Sequence, residues 1–225
     1  MLWQAIGNVL PSAVGVALSP IPIIAVILML ATPKARSNGL AFAAGWIGGL
    51  VVVSVVVLVV AGDASDPDSG ASDTVNWIKL VLGVVFLLMA IRQWRSRPRK
   101  GETPEMPKWM QTIDAFTPVK SAGFGVVLSA LNPKNLALTL AAAASIAQAD
   151  LSTGASTVAV AVFVVIGSLT VAGPVLFYLF APRAAARPLD AIKAFMSEHN
   201  AVIMFVVLLV LGAKLLGDGL AGLGS

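Results

Sequence analysis

Residues 130–144 read ALNPKNLALTLAAAA, an aliphatic run that would pass for the middle of a membrane span except that Asn132, Pro133, Lys134 and Asn135 open it. A proline lacks the N–H that the helical ladder needs and clashes with the preceding turn, so the helix is expected to kink or unwind there. Backbone groups freed by such a break cannot stay bare in hydrocarbon, where each costs several kcal/mol. Lys134 follows Lys120 by about 20 Å of helix at 1.5 Å per residue, which puts it deep in the bilayer. A lysine at that depth costs at least about 2.5 kcal/mol on insertion scales, and is by default a candidate for function.

The same pattern occurs earlier. Residues 17–30, ALSPIPIIAVILML, again run Ala-Leu-polar-Pro into an aliphatic stretch, with Pro20 and Pro22 as the breakers and Ser19 as the polar residue. Each motif lies about halfway along the first expected helix of its half, so the chain carries a weak internal repeat three helices long. A unit with an odd number of crossings must re-enter from the opposite face. The two halves are therefore expected to be inverted-topology repeats about a pseudo-two-fold axis in the membrane plane, as in many secondary transporters.

Composition agrees with a membrane setting. Of 225 residues 58% are hydrophobic and 12% charged, with a mean hydropathy of +0.91, too apolar for a water-soluble domain of this length. Six apolar stretches, near residues 3–31, 38–61, 75–94, 119–147, 155–180 and 200–217, are each long enough to cross a hydrocarbon core of about 30 Å. They are too long and too uniformly apolar for barrel strands. The expected fold class is an all-α integral membrane protein of six transmembrane helices, with helices 1 and 4 broken by proline. Residues 1–96 form the first three-helix repeat, 97–118 a basic, proline-rich cytoplasmic linker, and 119–225 the second repeat. The first stretch lacks a charged leader and is read as a mature helix.

Most lysines and arginines fall in three loops on one side: Lys34 and Arg36; the central segment from Arg92 to Lys120; and Arg183, Arg187 and Lys193. The loops opposite, 62–73 and 148–154, carry Asp63, Asp66, Asp68, Asp73 and Asp150 and no basic residue. By the positive-inside rule the basic loops face the cytoplasm and both termini face outward, in a bacterial inner membrane. The pI near 9.7 then reflects topology, and nucleic acid is not an expected partner. The stretch RQWRSRPRK at 92–100 suits anionic headgroups as well as an orientation signal.

Together, Ser19, Asn132, Lys134 and Asn135, with Pro20 and the backbone N–H groups after Pro22 and Pro133, make a candidate polar pocket at the midplane for an anionic headgroup or carboxylate. The same residues also admit a structural reading, a tolerated kink whose amides bond across helices while Lys134 pairs with a carbonyl. In GSLTVAGPVLFYL at 167–179, Ser168, Thr170, Gly173 and Pro174 are expected to extend the pocket, or to act as a hinge or plain kink. Ala41, Gly45 and Gly49 form a small-residue stripe for close packing, within one chain or between two. Lys214 with Asp218, and Arg92, fit interface snorkelling.

The chain has no cysteine and one histidine, His199, and none of its 11 Asp and Glu residues falls mid-span. Metal sites, a cofactor and divalent-cation transport are not expected. No nucleotide-binding or hydrolase motif is present, so no enzymatic activity is expected either.

ALSPIPIIAVILMLATPKARSNGLAFAAGW (17–46), LSALNPKNLALTLAAA (128–143), GSLTVAGPVLFYL and EHNAVIMFVVLLVLGAKLLGDGL (198–220) resemble the GAP branch of the lysine-exporter superfamily. This branch includes the peptidoglycolipid-addressing and sulfolipid-addressing proteins of mycobacteria. The resemblance implies six helices in two inverted repeats and a part in exporting cell-envelope glycolipids across the cytoplasmic membrane. It places the superfamily's Asn-Pro-Lys on Asn132, Pro133 and Lys134. Three readings stay open: a small lipid-exporting secondary transporter working on membrane lipids, in which a homodimer would enlarge the groove; an exporter of amino acids or other small metabolites; and a non-transporting accessory subunit of an envelope-lipid synthesis and export machine.

Overall fold

The computed structural model describes residues 1–63, 71–97, 108–149 and 151–223, and among them finds helices and turns and no strand. Asp66, Asp68, Asp150 and residues 98–107 of the linker lie outside the described residues.

Two helices in each half are separated by a proline break. Helix α1 (Leu2–Ala17) ends at Leu18, and α2 (Pro20–Leu30) begins after Ser19, whose backbone is extended. Helix α5 (Pro118–Val126) passes into a π-helical turn (Val127–Leu131), and α6 (Pro133–Ala147) begins after the extended Asn132. The axes bend by 52° at the first break and 61° at the second. Pro20 and Pro133 each open the new helix, the position where a missing N–H costs least and φ is already helical. Pro22 then sits within the first turn of α2, which still lacks intrahelical acceptors for its donors.

The other helices are α3 (Ala35–Asp63), α4 (Ala71–Arg95), α7 (Thr153–Phe180) and α8 (Pro182–Leu223). These four are long and apolar enough to cross a bilayer, and each bent pair passes the same test as one span, which makes up to six. The protein is a multi-pass membrane protein. Exposed Val52, Val55, Val56, Val59 and Val60 give α3 an apolar outer face suited to lipid, not water.

Helix α8 departs from the expectation of a loop carrying Arg183, Arg187 and Lys193. Only Ala181 separates α7 from α8, whose 42 residues run unbroken from Pro182. At 1.5 Å per residue it is about 63 Å long, twice the hydrocarbon thickness. The alanines at 184–186, 191 and 194 favour helix, Pro182 opens it, and Lys193 pairs with Asp190 at 3.0 Å within it. Helix α7 stays helical through Gly173 and Pro174.

The core forms where α3, α1, α6, α7 and α8 turn large side chains inward: Phe42, Trp46 and Leu50 from α3, Val9 and Val16 from α1, Leu138 from α6, Phe163 from α7 and Leu208 from α8. Helix α4 packs along α8, and α3 along α5. The small-residue stripe of α3 works inside the chain. A Cβ on Gly45 would collide with the Ala122 carbonyl, and one on Gly49 with the Ser129 hydroxyl. The reverse holds on α5, where a Cβ on Gly125 would strike Phe42 O and Trp46 N. Backbones can approach this closely only where both surfaces lack side chains.

Candidate functional site

The break in α1 leaves carbonyls that its own helix cannot satisfy. Pro20 has no N–H for Val16 O, and the Ser19 hydroxyl lies 2.7 Å from that oxygen instead. Thr170 Oγ1 of α7 donates to Ala17 O at 2.6 Å. Lys134 Nζ donates to Gly15 O at 2.8 Å. Of three consecutive carbonyls at the C-terminal end of α1, Gly15 O and Ala17 O are thus each met by a side-chain donor, and Val16 O has the Ser19 hydroxyl within reach. An ammonium suits this position, since the helix dipole puts partial negative charge there.

The second break supplies the donors. Asn132 caps α6 by accepting from Lys134 N at 3.1 Å, and Pro133 fixes the first turn. That turn aims Lys134 and Asn135 at α1. Lys134 Nζ also donates to Ser19 Oγ at 2.7 Å. Asn135 Nδ2 donates to Leu128 O of the π turn at 2.9 Å, and its Oδ1 lies 2.8 Å from Ser19 Oγ. The single Ser19 proton goes to Val16 O or to Asn135 Oδ1. Thr139 Oγ1 donates to Asn135 O at 2.8 Å one turn further on.

Ser19, Lys134 and Asn135 come together from positions more than a hundred residues apart, and the meeting is closed. Lys134 and Ser19 are each 3% exposed and Asn135 0%. Among the described residues no carboxylate accompanies the ammonium, and two of its three N–H donors have partners.

The remaining candidates divide. Pro20 and Pro22 are buried at the start of α2. Thr170 reaches the α1 break directly, whereas Ser168, one helical turn from Val164, is buried with an unpartnered hydroxyl. Gly173 has open space where its Cβ would stand, and it and Pro174 lie partly buried in the continuous α7. What residue chemistry alone did not signal is the share taken by main chain: Gly15, Val16, Ala17 and Leu128 contribute oxygens, for which any residue type would serve.

With this geometry in hand, comparison with protein families is informative. The family of Sap, sulfolipid-1-addressing protein, matches residues 9–221, nearly the whole chain and both breaks. The chain belongs to this family. No curated protein and no solved structure matches it. The family is described by a sulfolipid that its member addresses, and together with the apolar helices this points to a membrane protein of lipid export.

Proposed function

We propose that this protein is a small secondary-type transporter, not an enzyme, that exports a cell-envelope glycolipid. The lipid's anionic or polar headgroup engages Lys134, Ser19 and Asn135 between the two broken spans, and its acyl chains stay in the bilayer. One observation carries this reading: a lysine buried between two helix breaks keeps one N–H donor without a partner among the described residues. A lysine buried mid-membrane is costly, and a kink alone does not require one. The cluster is closed in this arrangement, so a headgroup enters when the two bent pairs part. The π turn before Asn132 and the two breaks are the places where such motion is cheapest.

We further read the chain as six spans in two inverted repeats, of the lysine-exporter superfamily, in a bacterial inner membrane with both termini outside and the basic segments in the cytoplasm. Supporting the repeat, α3 packs on α5 as α7 packs on α1, and α4 packs on α8, its own counterpart. A homodimer would widen the groove between the halves.

The rival is the accessory subunit, and a specific observation favours it: Gly15 O, Ala17 O and the Asn135 amide nitrogen have protein partners, and the Ser19 hydroxyl serves Val16 O or Asn135 Oδ1, as in a structural joint. The experiment that separates the two is a surface-lipid profile by mass spectrometry of a host lacking the gene, restored with wild type or Lys134→Ala at matched membrane abundance. Restoration by wild type alone is the expected result. Equal restoration by both would assign Lys134 to structure, and no lipid change in the deletion would sink the export reading.

A further inference from the structure

A second polar cluster lies where Met1 and Ala221 come together at one end of the bundle. The first turns of α1, the end of α6, the start of α4 and the last turns of α8 surround a cavity of about 480 Å³. Its lining includes Gln4, Asn8, Lys79, Ser145, Gln148 and Asp218. Lys79 Nζ donates to Gln148 Oε1 at 2.8 Å, and Asp218 is paired with Lys214 on the next turn of α8. Gathering these groups from four helices of so apolar a chain is unusual, and none of them takes part in the joint at Lys134.

The donor set defines a ligand class. Three side-chain amides and a hydroxyl offer both donors and acceptors, as a ligand rich in hydroxyls requires. Asp218 is already spent on Lys214, so Lys79 is the charged side chain of the lining without an ion pair among the described residues. The volume falls within the roughly 300–1,000 Å³ of small-molecule sites. Helix α6 links this cleft to the joint: from Lys134 at its start to Gln148 at its C-cap is about 21 Å of helix. Helix α1 runs beside it from the Gly15 carbonyl to Asn8 and Gln4.

We propose that this cleft binds the hydroxyl-rich, singly negative headgroup of a membrane lipid, as a second station reached from Lys134 along α1 and α6. It rests on the export reading only for the claim that this lipid is the one exported. The test uses the full chain in phosphatidylcholine nanodiscs, with binding of sulfoquinovosyl diacylglycerol, a lipid bearing an anionic sugar, followed by native mass spectrometry. Gln4 and Asn8 are exposed, so the double variant Gln4→Leu/Asn8→Leu should fold, and Lys79→Met tests the charge. Each is expected to weaken binding about tenfold or more, with Lys193→Met, which removes a positive charge on α8 away from both sites, close to wild type. Unchanged binding in both cleft variants overturns the proposal. So does equal binding of phosphatidylglycerol, which would reduce recognition to charge. Free glucose 6-sulfate binding as tightly as the lipid would assign the cleft to a soluble ligand and overturn the lipid assignment. Binding is read here without transport, so failure at the cleft leaves the Lys134 surface-lipid result standing, and the converse.

Discussion

The two helix breaks bend their spans by similar angles, 52° and 61°, yet they solve the problem of freed backbone in opposite ways. The first is poor in side-chain donors. Apart from Ser19 it offers carbonyls, and two prolines in its second helix remove donors from the same turn. The second is rich: Asn132 caps its own helix, Asn135 takes the carbonyl of Leu128, and Lys134 reaches across to α1. Neither break is complete alone. An acceptor-rich end and a donor-rich start dock on each other, so the joint fixes how the two halves sit together while putting a cation at their interface.

If the second break holds the joint, removing Asn135 should produce the largest loss. Asn135→Leu keeps the volume but strands Leu128 O and removes an acceptor for Ser19. Each buried group left unmatched costs about 1–3 kcal/mol, so a loss of about 3 kcal/mol is expected, read as a lower midpoint in a denaturant titration of the purified protein in detergent. A loss comparable to that of an ordinary surface change would mean that the joint is held by packing instead, and the contrast between the breaks would lose its energetic meaning.

Much of this contrast was legible in the residues. Proline after a polar residue, placed twice in aliphatic runs, located both breaks, and the same pattern brought Ser19, Lys134 and Asn135 under suspicion together. Side-chain chemistry could not show which backbone oxygens the lysine would choose, because carbonyls are the same at every position. It therefore left two readings open, a polar pocket and a kink in which Lys134 pairs with a carbonyl, and the structure shows the carbonyl contact within a closed cluster. The basic segment of α8 misled for another reason: charge read as a loop signal, although alanine and arginine are good helix formers and a helix can continue past the membrane surface. At Pro174 the helix continues, since a proline inside a helix removes one hydrogen bond without having to end it. Thr170, placed one turn before it, proved to serve the neighbouring helix.

A pair of milder substitutions sharpens the comparison. Thr170→Val removes the donor to Ala17 O from the first break, and Asn132→Ala removes the cap from the second. Each is expected to lower stability by about 1 kcal/mol in the same titration. The two sites share no partner, so the double variant should show the sum, within about 0.5 kcal/mol. A surplus beyond that would show the breaks responding as one unit, with loosening at either end transmitted through Lys134.

The smallest expected effect on stability belongs to Lys134→Met. Removing the ammonium strands Gly15 O and leaves Ser19 Oγ with one partner fewer, a loss of about 1–3 kcal/mol. It also lifts the roughly 2.5–3.5 kcal/mol that a lysine costs mid-membrane. The two nearly cancel, so the denaturation midpoint should move by less than about 1 kcal/mol in either direction, and Met fills the same space without the charge. A folded, well-inserted variant that no longer restores the surface lipid would mean that the charge serves something other than folding. If the midpoint instead falls by about 3 kcal/mol, the ammonium is the bond that holds the two breaks together, and the accessory reading gains what the transporter reading loses.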